Sequence, residues 1–269
     1  SHRRFAGYLT HATHHDPEKY PFLFITFWGM TSLLMGTLVV AGLHTLAWLP
    51  RSLQFRRELK ASGADHGEVY VRRFRNFDRN LHLMVITSFI GLALTGMMLK
   101  FSYTTWAQVL SRVLGGFEAA GWIHRVCAIL TFTYFGLHIY DLVRQKRASG
   151  KTWRQYLFNQ ESMIFNGHDW REFVASLKWF AGKAPRPDYG RWTYWEKFDY
   201  FAVFWGVAVI GSSGLLLWFP EFFTHIFPGS MINVATIIHS DEALLAVGFI
   251  FTVHFFNTHF RPEKFPIDT

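Results

Sequence analysis

Residues 81–101 read "LHLMVITSFIGLALTGMMLKF". The run is apolar, with its one formal charge, Lys100, at the far end and its one histidine, His82, at the start. A helix needs about 20 apolar residues to cross a hydrocarbon core of about 30 Å, so this stretch predicts a transmembrane helix. Four more segments have the same character: 22–49, bracketed by Pro21 and Pro50; 119–143; 198–219, followed by Pro220; and 232–256. The expected fold is an all-α, integral membrane helical bundle of five transmembrane helices. Its expected organisation is an N-terminal segment 1–21, a first span 22–49, a loop 50–80, a four-helix core 81–260 interrupted by a loop at 144–197, and a tail 261–269.

Charge orients the spans. Residues 50–80 hold eight Lys and Arg and residues 144–197 hold eleven, whereas the turn between spans two and three has only Arg112 and the turn between spans four and five has none. Basic loops stay inside. The expected topology is therefore an N-terminus outside (periplasmic, in the inner membrane of a bacterium), two long cytoplasmic loops and a cytoplasmic C-terminus. Arg3, Arg4 and Lys19 pull weakly the other way. The net charge of +8 belongs to these loops, and nucleic acid is not an expected partner. Within 144–197, residues 168–182 place Trp170, Phe173, Val174, Leu177 and Phe180 at helical spacing. This predicts a short amphipathic helix, on the membrane face or packed on the protein, with Asp169 as a possible cap.

The single cysteine, Cys127, excludes an intrachain disulfide and an iron–sulfur cluster held by this chain alone. With no C-x-x-C-H, no c-type haem is attached. The chemistry must rest on the 14 histidines, several of which lie at membrane depth, where an ionisable side chain marks a functional site. In span three, His124 and His138 are separated by about 21 Å of helix and fall within about 40° of one face. In span five, His239 and His254 are separated by about 22 Å and fall within about 60°. Two histidines per helix, one in each leaflet, is the pattern that stacks two haems across a membrane, each iron taking imidazoles from different helices. His124 and His239 form the outer pair. Geometry leaves three candidates, His82, His138 and His254, for the inner iron.

The segments also resemble a family. "FRNFDRNLHLMVITSFIGLALTGMMLKF" is similar to the first haem-bearing helix of the dihaem cytochrome b subunits of membrane formate dehydrogenases and nickel–iron hydrogenases. Arg79, His82, Thr95 and Gly96 fall at the matching places. "GWIHRVCAILTFTYFGLHIYDL" resembles the next helix, "RWTYWEKFDYFAVFWGVAVIGSSGLLLWFP" the third, which brings no ligand, and "IIHSDEALLAVGFIFTVHFFNTHFRPEKFP" the last. The resemblance covers residues 72–267. It implies two haem b groups, one on His82 and His254 and the other on His124 and His239, and a quinone (menaquinone or ubiquinone) as substrate near the inner haem. His138 is left over. The span 22–49 with His44 is extra, as is a segment holding His2, His11, His14 and His15. Cytochromes of this kind also occur beside multihaem c-type cytochromes, and an outer histidine could ligate a neighbour's haem.

Arg79 and Arg125 stand where cations could pair with haem propionates, as does Lys197. His138, Asp141, Glu196 and Asp199 are candidates for a quinone site on the inner side, and Asp241 and Glu242 on the outer side. The expected function is an electron-transfer subunit between the quinone pool and a periplasmic partner, either a multihaem c-type cytochrome or an iron–sulfur or dehydrogenase subunit. The rival is a membrane transporter that moves protons or metal ions with buried histidines. That rival calls for mid-span carboxylates, and spans one to three contain none.

Overall fold

A computed structural model describes residues 14–62, 74–159 and 161–260. His2, His11, Arg3, Arg4, Arg72, Arg73 and the tail 261–269 lie outside the described residues. The chain is an all-α membrane helical bundle with five helices long and apolar enough to cross a bilayer. In order, the elements are α1 (Pro21–Ser62), α2 (Asn76–Lys100), α3 (Thr105–Val113), α4 (Phe117–Ala148), α5 (Trp153–Leu157), α6 (Gly167–Phe180), α7 (Tyr194–Trp218), α8 (Pro220–Phe223) and α9 (Ser230–Phe249). Two π-helical segments, Ile250–His254 and Phe256–Phe260, carry the last helix onward. Large apolar side chains such as Phe22, Val40, Leu83, Leu94 and Val126 face outward. In water such a surface is untenable, whereas in lipid it is the ordinary outside of a spanning helix.

The chain divides into two compact units. The first comprises residues up to Val40, then Asp78–Tyr134 and Gly206–Phe249. Its small core is Met98, Ala107 and Ala120, against which Leu110 and Leu114 of the α3 region pack. The expected turn between spans two and three is thus a short helix. It is closed by Gly115 and Gly116, both at positive φ, with Gly116 N–H donating to Ser111 O. Lys100 closes the same end of the unit by donating to Ser240 Oγ (3.0 Å) and Asp241 Oδ1 (3.1 Å).

The second unit comprises Ala41–Phe77, Phe135–Trp205 and the residues from Ile250 on. It corrects one boundary: the first helix does not stop at Pro50 but continues to Ser62. Proline costs a helix one backbone hydrogen bond, but packing on either side outweighs that loss. Trp48 is fully buried among the rings of Trp179, Phe180, Tyr189 and Trp195. Beyond the proline, Arg51 bonds Gln54 and the carbonyl of Phe180, and Gln54 bonds Glu58.

The amphipathic helix expected at 168–182 is α6, and the face it buries in the protein is largely polar. Asp169, Glu172, Ser176 and Trp179 are buried, while Trp170 and Leu177 are exposed. The cap is Asn166, whose side chain accepts from His168 N–H; Asp169 completes the capping box from inside the first turn by accepting from Asn166 N–H. The buried polar face has partners from elsewhere in the unit. Lys197 Nζ lies 2.7 Å from Asp169 Oδ1, with both side chains almost fully covered. Glu172 accepts from Gly190 N–H, and Ser176 pairs with Tyr189. Breaking a buried ion pair on one side leaves an uncompensated charge, at a cost of about 3–5 kcal/mol. Lys197→Met is therefore expected to lower the thermal-unfolding midpoint in detergent, and adding Asp169→Asn should restore most of the loss.

Candidate functional site

In the first unit, α4 and α9 bring His124 and His239 together. Their ring centroids lie 6.2 Å apart with planes at 70°. Each ring is held through Nδ1 by a neighbouring helix. His239 Nδ1 is 3.0 Å from the carbonyl oxygen of Ile210 in α7, and a carbonyl only accepts, so Nδ1 carries the proton. His124 Nδ1 is 2.9 Å from Thr95 Oγ1 in α2. That hydroxyl donates its own hydrogen to Gly91 O at 2.6 Å, so it accepts from the histidine. Both imidazoles are thereby fixed in the tautomer that leaves Nε2 with a free lone pair. Metal-ligating histidines are commonly fixed in this way, the distal N–H being given to a carbonyl or other acceptor.

The separation discriminates between two arrangements. Rings joined by a direct hydrogen bond of about 3 Å would have centroids about 5 Å apart. Two metal–imidazole bonds of about 2 Å, plus about 1 Å from each nitrogen to its ring centre, give about 6 Å. The observed 6.2 Å is too long for a direct hydrogen bond between the rings and leaves the room that a shared metal needs. Glycines make room for the rings. A Cβ on Gly214 in α7 would sit 3.0 Å from His239 Cε1, and one on Gly96 in α2 would sit 3.3 Å from His124 Cε1. Among the described residues, no group of three or more His, Cys, Asp or Glu is placed to hold a metal ion. A bare zinc ion takes three or four protein ligands, whereas haem iron needs only its two axial positions filled. The donor set fits a haem. Compared with protein-family models, curated proteins and solved structures, the chain matches none of them.

Of the three residues expected to compete for a second iron, His82 lies in the first unit, exposed on α2, and His138 and His254 lie in the second. His254 repeats the pattern of the outer pair: its Nδ1 is 3.0 Å from Asp199 Oδ2. His138 does the opposite, directing Nε2 to Tyr200 Oη at 2.9 Å. His44 likewise directs Nε2 to Tyr194 Oη at 2.6 Å, inside rings from Trp48 and Phe180. The last helix is not α-helical at His254. The segment that carries His254 is wound with the wider i→i+5 turn, whereas the expected spacing of His239 and His254 assumes an α-helix throughout.

The polar candidates sort by their partners. Asp141 is saturated: Arg75, Arg144 and Gln145 all donate to its carboxylate. Glu196 accepts from Thr193 N–H and Oγ1 and so closes the first turn of α7. Lys197 is paired with Asp169 rather than available to a propionate. Arg125 lies over the faces of Trp122 and Trp218, at 5.0 and 5.8 Å. Arg79 is exposed on α2. Asp241 and Glu242 are both buried in α9. Of the histidine-rich segment, His14 stacks on Phe27 at 3.7 Å and contacts His15. Burial and then His15 push the pKa of His14 below the usual histidine value, with Asp241 partly offsetting them.

Several of these partners were not singled out from sequence: Ile210 and Ser213 beside His239, and Tyr194 and Tyr200 beside the other histidines. Thr95 and Gly96 carried a signal, as the Thr-Gly that ends the apolar run of span two.

Proposed function

We propose that this chain is a dihaem cytochrome b subunit that carries electrons across a bacterial inner membrane, between the quinone pool and a periplasmic redox partner. The observation that carries the reading is the His124–His239 pair, with a 6.2 Å ring separation and both Nδ1 atoms anchored by neighbouring helices. Two fixed neutral imidazoles close both axial positions of an iron, which favours electron transfer over ligand chemistry. The haem, when bound, supplies the one-electron exchange, and the chain supplies spacing, axial ligands and a low-dielectric shell. A second haem belongs to the same proposal. Its support in this chain is His254, anchored on Asp199, at a position that the resemblance assigns to a ligand.

Quinone exchanges protons as well as electrons, so its site needs an ionisable group with an exchangeable proton. Asp141 and Glu196 are already engaged. The hydrogen-bonded pair His138–Tyr200 is the better candidate, and it accounts for a histidine that the ligand scheme leaves over. The charge count supports a periplasmic N-terminus, on the side where a multihaem cytochrome or dehydrogenase subunit would exchange electrons with the outer haem.

The test is spectroscopic. The purified holoprotein is expected to be red, to give about two haems per chain as pyridine haemochrome, and to develop reduced b-type bands when a short-chain quinol is added. A folded, colourless preparation from haem-replete cells would refute the proposal. Full haem content without any quinol-dependent reduction would refute only its quinone half.

A further inference from the structure

Away from the histidine pair, α6 buries its polar side and shows its apolar one. Asp169, Glu172, Ser176 and Trp179 face the protein, whereas Trp170 is 67 % and Leu177 46 % exposed. With the half-buried Val174 between them, these two follow the i, i+4, i+7 spacing of a single helix stripe. A helix bathed in water would turn such a stripe inward. Here the inward side is already taken, with Lys197 of α7 paired to Asp169 and Tyr189 to Ser176.

Two observations say what covers the stripe. The first is continuity with the outside of a membrane span. Helix α7 exposes Phe198, Phe201 and Trp205 along one side of a helix long and apolar enough to cross a bilayer. Phe165, exposed just before the cap of α6, meets Phe201 at 6.4 Å between ring centroids. Trp170 packs on Phe173 at 5.5 Å, and Phe173 packs at 5.5 Å on Tyr194, the first residue of α7. The stripe therefore lies where α7 enters the membrane. The second observation is charge. Arg171 and Lys178 are both exposed. Each directly follows a residue of the stripe and so stands about 100° round the helix from it. The acidic residues of α6, Asp169 and Glu172, are on the buried side. An apolar stripe edged with basic residues belongs to a helix lying in the headgroup region, where anionic lipid attracts the cations. Tryptophan favours that depth.

We propose that α6 lies in the plane of the bilayer surface beside the start of α7, as an anionic-phospholipid contact. Trp170, Val174 and Leu177 enter the acyl boundary, and Arg171 and Lys178 take the phosphates of anionic headgroups. Through Asp169 and Lys197 the helix then braces the end of α7 against the lipid. This surface is independent of the haem proposal.

The experiment has two arms, both on the full chain in nanodiscs of equal phosphatidylcholine and phosphatidylglycerol. In the first, nitroxide labels on Trp170→Cys and Leu177→Cys, in a Cys127→Ser background, are read by power-saturation electron paramagnetic resonance. Oxygen, which concentrates among acyl chains, is expected to relax both labels more than a water-soluble nickel chelate does. A label on Asp188→Cys, at an exposed position, should show the reverse order. Nickel access at 170 and 177 would mean that the stripe meets water, and shielding from both reagents would mean that protein covers it; either result overturns the proposal. In the second arm, native mass spectrometry counts the lipids retained by the Arg171→Gln/Lys178→Gln variant. Its preference for phosphatidylglycerol over phosphatidylcholine should fall about fivefold or more, because each basic residue near an anionic surface contributes about that factor. Both side chains are exposed, so this variant decides the matter if the label variants do not fold. An unchanged preference would overturn the proposal.

Discussion

His239→Ala is expected to leave a folded protein with about one haem per chain in place of about two. The lost haem should be the same one that His124→Ala removes. An iron gripped by two imidazoles, 6.2 Å apart from ring centre to ring centre, loses its low-spin closed coordination when either is removed. The two variants should therefore be equivalent in haem content and in the spectrum that survives. The double variant should lose no more than either single one, since residues acting on one group are not additive. Tyr200→Phe serves as the contrast: it removes the partner of His138 and should leave the haem count untouched while slowing reduction by quinol. Pyridine haemochrome and reduced-minus-oxidised spectra measure all four proteins. If His124→Ala and His239→Ala abolish different haems, the pairing is wrong.

Gly214→Val is expected to act on the same haem without touching a ligand. The added Cβ would stand 3.0 Å from His239 Cε1 and 3.3 Å from Nδ1, closer than a carbon can approach a ring without displacing it. Overpacking of this kind costs about 1–3 kcal/mol. Here the ring, tied to Ile210 O, must either break that bond or turn. The result should be loss of the His239 haem or a shifted spectrum, with little change in the second haem. Gly206→Val on the same helix is the control. The nearest atom to its Cβ would be Ile210 Cδ1 at 4.0 Å, so its spectrum should match the wild type. Equal spectra in the two variants would show that the glycine at 214 has no part in seating the imidazole.

The five spans could be read from sequence because length and hydrophobicity decide them, and no tertiary partner is needed. The exit of α1 could not. Pro50 is a local stop signal, and what overrides it is Trp48 settling among rings from residues 179–195, far away in the chain. The same reason hid which face of α6 is buried. Periodicity finds its apolar residues, but the partners that make the polar face the buried one, Lys197, Tyr189 and Gly190, lie beyond the helix itself. At the histidine pair, depth and spacing were visible in the sequence. The anchoring by Ile210 was not, because a carbonyl acceptor leaves no trace in residue type, and Thr95 was visible only as part of the Thr-Gly that closes span two. The π winding at His254 likewise has no sequence signal comparable to a proline or glycine.

In the proposed cytochrome, Nε2 of His124 and Nε2 of His239 grip one iron porphyrin from opposite sides. An experimental density map of the holoprotein purified from haem-replete cells tests it most directly. A macrocycle is expected between the two rings, with the iron about 2 Å from each Nε2 and both Nδ1 atoms still bonded to Thr95 and Ile210. A map in which the rings point apart, or in which lipid or solvent fills the space between them, would contradict it.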